Sequence, residues 1–366
     1  MQAAKAWLMH SSSDLLARLR RTWPALIALL LLAACSRQHT PSATAGAPAA
    51  AEVTTLRYQG SVGTVTFPEL AEALGYLAPV KLQWIGNTIS GPQDIQTVVT
   101  GDTDFGTAFN GSIVKLVAAH APIRAVVGSY GIDEQTWIGF YVLEGSPIRS
   151  ARDLIGKKIA MNTLGAHTEF VLREYLARAG LTSEEQKQVT MIVVPPVNSE
   201  QSLRQQQVEV ATLGGILRDK ALQRGGIRKL FSDYDLYGPF TAGAYVLRDK
   251  FIAANPTTVR RFAEATGRAI EWARNTPREQ VRERYEQIIR GRGRNEDATT
   301  VRYWLSTGIA NPEGRIDDRE FQLWIDWLVK DGELKPGQVK PSDLYTNAFN
   351  GAKTTTAAAT AAEARP

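Results

Sequence analysis

Residues 152–181, RDLIGKKIAMNTLGAHTEFVLREYLARAGL, restrict the possible folds of this chain more than any other stretch. A polar turn leads into a short strand over 158–161. A tight Thr/Gly loop follows, then a helix starting near Gly165–Ala166–His167. Phe170, Val171, Leu172, Leu176 and Ala179 recur at helical spacing, and Gly180 stops the helix. A strand that feeds a glycine loop and then a helix aims several free backbone N–H groups at one point. That point feels the positive end of the helix dipole, which suits a bound anion. An ordinary strand–helix turn has the same signature, so this stretch predicts α/β architecture and leaves function open.

The flanking segments repeat the pattern. A strand over 54–58 opens into Gln59–Gly60–Ser61–Val62–Gly63, and a helix over 67–74 follows. A strand over 81–84 leads to the loop 87–92, where Ser90 is placed to cap a helix over 93–100. A strand over 105–108 is followed by a loop, Asn110–Gly111–Ser112, and an apolar helix over 113–119. Strands over 123–130 and 137–142 close this first unit. A second unit begins at Ser146, with strands over 158–161, 191–194, 208–213 (running into Gly214–Gly215) and 227–231, and a helix over 199–206. A strand over 243–247 returns to the first unit, and helices are expected over 257–274, 277–289, 297–305 and 318–330. Alternating strands and helices imply a mostly parallel sheet covered on both faces. Ligands of such sheets sit at the carboxyl ends of the strands.

With 366 residues, 44% of them hydrophobic and 22% charged, the chain can support two α/β lobes. The net charge of +5 is modest. Basic residues gather in the N-terminal segment and around 278–294 without interleaved aromatics of the kind that stack nucleic-acid bases, so a nucleic-acid partner is not expected. Arg20–Arg21, the apolar run 23–32 and the small residues before Cys35 describe a secretory signal, too short to span a bilayer. Met9 is an alternative start to Met1. Residues 36–52 read as a flexible tether, and the Thr/Ala-rich tail 351–366 as disordered.

The ending Leu32–Ala33–Ala34–Cys35 resembles the lipobox of bacterial lipoproteins. That resemblance implies a lipid on the Cys35 thiol, a membrane anchor and a periplasmic location. Within the folded part, Tyr58–Gln59, Ser90–Gly91–Pro92–Gln93, the 101–106 segment GDTDFG and the 151–160 segment ARDLIGKKIA resemble substrate-binding proteins of ABC importers for sulfonates, nitrate and taurine. The His167 helix and the late helix start at Asn255–Pro256 fit the same order. The resemblance implies a two-lobed type II periplasmic binding-protein fold, with two hinge crossovers and an interlobe cleft. Lobe 1 would span 53–144 and 244–350, and lobe 2 145–243. It also implies no catalysis and no cofactor, with ABC permease and ATPase subunits as partners.

Family-matched cleft positions are Gln59, Gly60, Ser61, Val62, Ser90, Gly91, Asn110, Gly111 and Ser112 on lobe 1. On lobe 2 they are Thr163, Gly165, Ala166, His167, Thr168, Gly214 and Gly215, with Trp137 and Tyr237 as aromatic walls. Thr163–Leu164 stands where the family often has Gly-Ser, and Gln207–Val208–Glu209–Val210–Ala211 where it usually has Gly-x-Val-Asp-Ala. The implied ligand is a small organic anion such as an alkyl or aryl sulfonate. A pyrimidine-like heteroaromatic, or an enzyme on the same scaffold, are the alternatives.

Several residues invite chemistry that the pattern does not support. His167, one turn into a helix, is expected to pack between the lobes. His10, His39 and His120 have no metal-ligand spacing. Asp102 and Asp104 are expected to satisfy their own turn. Neither a nucleophile elbow nor a phosphate-binding P-loop is present. Trp272, Trp304, Trp324 and Trp327 fall on apolar helix stripes and are expected to be core.

Overall fold

The computed structural model describes residues 51–351. The signal, the lipobox cysteine, nearly all of the tether and the tail beyond Gly351 lie outside the described residues. Ten strands form a two-stranded and a three-stranded ladder, which lie together in lobe 1, and a five-stranded sheet in lobe 2. In lobe 1, β1 (Thr55–Gly60) pairs in parallel with β2 (Lys81–Asn87), and β3 (Phe105–Phe109) and β4 (Ile123–Ile132) flank a strand that arrives much later. Asp104 N–H donates to the Arg57 carbonyl at 2.9 Å and stitches β1 to the start of β3. In lobe 2, β5 (Ile138–Leu143), β6 (Lys158–Met161), β7 (Thr190–Val193), β8 (Val210–Gly214) and β9 (Ile227–Ser232) lie in the order β7-β6-β8-β5-β9. The late strand β10 (Phe240–Arg248) runs antiparallel between β3 and β4, so lobe 1 reads β2-β1-β3-β10-β4.

Two expectations are corrected here. The strand near 137–142 was placed in lobe 1, but β5 pairs with β8 and β9 and belongs to lobe 2. The sheets are also mixed, because β5 and β10 each run antiparallel to both neighbours. Each is the strand that follows a crossover, so it enters its sheet from the cleft side. The crossovers are therefore residues 133–137 and 233–239, with the second lobe beginning and ending earlier than the sequence pattern placed it.

Each lobe has its own core. Leu56, Tyr58, Phe105, Tyr245 and Phe262 pack beneath the sheet of lobe 1, and Phe140, Ile159, Val171, Leu172 and Phe231 fill lobe 2. The helix Pro256–Asn275 is strongly one-sided, burying Val259, Phe262, Ala263, Ala269 and Ile270 along one stripe. The tryptophans behave as expected. Trp324 and Trp327 are buried, and Trp272 and Trp304 pack partly buried on the lobe 1 core. Among the described residues no helix is long and apolar enough to cross a membrane.

Candidate functional site

The segments after β2 and β3 meet the loop after β6 at the junction of the lobes, where Asn162 Nδ2 donates to Ile89 O at 3.3 Å and Ser112 reaches Gly165. At the end of β1, Gln59 is half-buried and its Oε1 has no hydrogen-bond partner. Gly60 is needed for space: a Cβ there would lie 3.0 Å from Arg294 Nη1 and 3.3 Å from Asn87 Oδ1. Ser61 and Val62 are exposed. Ser90 precedes the helix Gly91–Thr100 with extended backbone, but its side chain makes no cap hydrogen bond. Gly91 lets that helix approach β3, since its Cβ would sit 3.0 Å from Ala108 Cα. Asp102 accepts a bond from Thr100 Oγ1 at 2.7 Å. Asp104 takes the Arg57 N–H (2.8 Å) and guanidinium (3.1 and 2.8 Å), so Asp102 serves its own turn as expected, whereas Asp104 binds the neighbouring strand β1 instead.

The expected loop Asn110–Gly111–Ser112 is instead the first turn of the helix Asn110–Ala118. Asn110 is buried and donates to the carbonyls of Thr241 (3.0 Å) and Glu320 (3.4 Å). A Cβ on Gly111 would come within 2.5 Å of Phe109 and 2.9 Å of Phe170. Asn110 is therefore spent inside lobe 1, and Gly111 gives the room for Phe109 to meet Phe170 of lobe 2, so neither stands free at a cleft wall. Ser112 Oγ crosses the junction and donates to Gly165 O at 2.9 Å.

On lobe 2 the helix His167–Arg178 begins with Ala166 as its N-cap, in extended backbone and without a side-chain cap. Gly165 has φ +69° and nothing near its Cβ position, so glycine is there for backbone conformation. Its N–H is not free for an anion. It donates to the Glu169 carboxylate at 2.7 Å, which already supplies negative charge to this helix end. Thr163 Oγ1 contacts only the neighbouring Leu164 carbonyl, at 3.4 Å, and Thr168 Oγ1 reaches Asn162 Oδ1 at 3.5 Å. Gly214 ends β8 where a Cβ would meet Ile138 at 2.9 Å, and Gly215 (φ +48°) opens the helix Gly215–Arg224. That helix has no acidic residue in its first turn.

His167 is buried, with its ring stacked on Phe109 at 4.7 Å and parallel to it. Neither ring nitrogen has a well-formed hydrogen bond. Nε2 lies 3.3 Å from Asp233 Oδ2, close enough for an ion pair but outside hydrogen-bond geometry. Burial lowers the His167 pKa to about 3 and raises that of Asp233 to about 7, so the imidazole is neutral. Asp233 Oδ1 meanwhile accepts the N–H of Ile138 at 3.0 Å, tying the second crossover to the end of the first. The two aromatic walls are also engaged. Trp137 has Arg218 over one face at 3.8 Å, and Arg218 holds the carbonyls of Gln135 (2.6 Å) and Trp137 (3.3 Å). Tyr237 packs edge-on to Trp324 at 5.2 Å and to Phe240 at 5.8 Å. No group of three or more potential metal ligands occurs among the described residues.

Residues 71–280 match the model of the NMT1/THI5-like family. The chain belongs to this family. A relative in Brucella abortus (strain 2308), named only as a binding protein, is 24% identical over 197 residues, 52% of this chain. That match spans 57% of the relative's length. The alkanesulfonate-binding protein SsuA of Xanthomonas axonopodis pv. citri, bound to MOPS, superposes with a TM-score of 0.62 at 19% identity, over 81% of this chain and 99% of its own. The periplasmic nitrate-binding protein NrtA of Synechocystis PCC 6803 gives 0.60 at 15% identity, over 81% and 87%. The two-lobed type II binding-protein fold and the family resemblance expected from the sequence both hold.

The site of this NMT1/THI5-like chain includes one cluster that sequence reasoning missed. Arg294, counted among the basic residues around 278–294, stacks over Trp84 at 4.5 Å beside Gly60. Its Nη2 donates to Tyr58 Oη at 2.7 Å and its Nη1 to Glu69 at 3.0 Å. Glu69 also takes Arg292 Nη1 at 3.1 Å and the Tyr58 hydroxyl at 2.6 Å. All four side chains are largely withdrawn from water. The one available signal was the glycine-flanked GRGR at 291–294, too open a pattern for a regular helix surface.

Proposed function

We propose that this protein is the solute-binding component of an ABC importer, carried on the periplasmic side of a bacterial membrane by a lipid on Cys35. It captures a small organic anion, an alkyl or aryl sulfonate or a similar compound, between its lobes. It then delivers that solute to permease and ATPase subunits and performs no chemistry on it. The observation that carries this reading is the pair of lobes joined by two crossovers, whose segments after β3 and β6 meet where Ser112 Oγ donates to Gly165 O. Membership of the NMT1/THI5-like family supports it, as do solved sulfonate- and nitrate-binding relatives in fold. Gln59, Gly60, Ser61, Ser90, Thr163, Gly214 and Gly215 are the positions left to meet a solute. The acid-free start of the helix Gly215–Arg224 offers N–H groups to an anionic head.

One observation favours a second solute class. Glu169 occupies the Gly165 N–H and places a carboxylate where a sulfonate head was expected, while Trp84 stands 40% exposed beside Arg294. A neutral heteroaromatic ring of the pyrimidine type suits such a surface. A thermal-shift panel of sulfonates, sulfate, nitrate, taurine, phosphonates and pyrimidines separates the two. A solute at a hundred times its dissociation constant adds about 2.7 kcal/mol. A response to sulfonates supports the anion, a response to pyrimidines alone transfers the reading to the ring, and a silent panel counts against both. Gly60→Val should abolish the response and also lower the unliganded melting temperature, because the clash is with Arg294, whose guanidinium Glu69 and Tyr58 hold in place. Cys35→Ser should release the chain from membranes.

A further inference from the structure

Residues 292–303 form a strap that leaves the helix Arg278–Gly291 and ends in the 3-10 turn Ala298–Tyr303. At its near end it clasps the loop after β1. Glu296 binds Arg292 and accepts the Gly63 N–H at 3.3 Å, while Thr300 Oγ1 donates to the Gly63 carbonyl at 3.2 Å. Arg292 and Arg294 share Glu69 behind that loop. Two guanidiniums and two carboxylates balance in a nearly dry setting, so the near end is held firmly: removing one partner would leave an uncompensated charge.

The far end meets the other lobe. Tyr303 Oη donates to Gln223 Oε1 at 2.5 Å, on the helix Gly215–Arg224 of lobe 2, and accepts from Arg302 at 2.6 Å. Both partners of that bond face solvent. The adjoining helix adds a bond of the same kind, from Arg278 Nη2 to Gln135 Oε1 at 2.6 Å in the first crossover. Between its ends the strap passes through left-handed backbone at Gly293 (φ +64°) and Asn295 (φ +52°). Asparagine is among the few side chains that tolerate that region, so the strap can change course there with little penalty.

We propose that residues 292–303 are a third connection between the lobes, a latch in which Tyr303 and Gln223 hold lobe 2 against the strap only when the lobes are together. Because the same strap grips the loop Gly60–Gly63, whatever enters beside Gly60 acts on the latch directly. That coupling rests on the solute-binding reading, whereas the latch itself requires no solute.

The test uses the full chain with Cys35→Ser, which removes its single cysteine, and spin labels at Glu283→Cys and Lys187→Cys, both exposed and one on each lobe. Distance distributions are read by double electron–electron resonance without any solute. A single exposed hydrogen bond shifts an equilibrium about two- to tenfold. Tyr303→Phe should therefore move label pairs from the short to a longer distance by that factor. Gln223→Ala should do the same, and the double variant should do no more than either. An unchanged distribution in Tyr303→Phe overturns the latch, as does a wild-type chain that shows only the long distance. A silent solute panel alongside a positive label result would reject the importer reading and leave the latch standing.

Discussion

The two lobes meet on two sides, and the chemistry of the two contacts is opposite. On one side Phe109 and Trp324 of lobe 1 pack against His167 and Phe170 of lobe 2, with ring centroids between 4.7 and 5.9 Å. Trp327 adds a further ring 4.3 Å from Phe170. On the other side the contact is a strap ending in a solvent-facing hydrogen bond from Tyr303 to Gln223. Stacked rings lose dispersion and burial over their whole area when they part. A wet hydrogen bond loses little, because water replaces the partner. The first contact is therefore built to stay as a pivot and the second to release as a mouth. A junction whose two sides were equally tight would have no preferred direction of opening.

The sharpest way to break this contrast is to empty the pivot. Trp324 is fully buried and touches Phe109, Phe170, Tyr237 and Phe240. Trp324→Ala should lower stability by about 3–5 kcal/mol, measured by urea denaturation, and should broaden the label distances in every direction.

A second test uses pH. With a pKa of about 3 in the folded state against an ordinary value near 6.5, the unfolded chain binds the extra proton between those values. This group therefore costs stability as pH falls below about 6.5. Asp233 has the opposite slope. Its raised pKa of about 7 means that its contribution is present at low pH and is lost as pH rises from about 4 to 7. His167→Phe keeps the stack on Phe109 and removes only the first term. The variant should gain about 2 kcal/mol over wild type at pH 5 and almost nothing at pH 8, read as the difference between two urea midpoints. Equal offsets at both pH values would mean that His167 is not held neutral.

The smallest effect is expected at the bond between the two sides. Ser112→Ala removes the donor to Gly165 O and should cost about 1 kcal/mol, with no change in label distances while the rings remain. A gain in the long distance would show that the pivot needs this bond.

Much of this was legible in the sequence. The helix over 318–330, the helix start at Pro256, the strand over 158–161 and the tryptophan stripes all follow from period and capping, which are local. What was missed is non-local. The strand β5 carries the same buried pattern in either sheet, and only its pairing with β8 and β9 assigns it to lobe 2. The helix Gly215–Arg224 buries only Arg218 and Ala221, so no apolar stripe announced it. Arg294 did not stand out because its partners Glu69 and Tyr58 lie 225 and 236 positions away. His167, matched to a cleft position and also expected to pack, stacks on Phe109 of lobe 1. Its ring partner Phe109, in another element, could not be inferred from spacing.

The place of β10 bears on how the chain is made. Strands β3 and β4 do not pair with each other; both pair with β10, whose last residue is Arg248. A chain emerging from its N-terminus therefore displays two strands of lobe 1 that each lack the β10 neighbour, while every strand of lobe 2, complete by Ser232, already has its neighbours. The lobe that starts first finishes last. Through that interval the open edges of β3 and β4 are the surfaces that a wrong partner could take, and the arrival of one strand closes both.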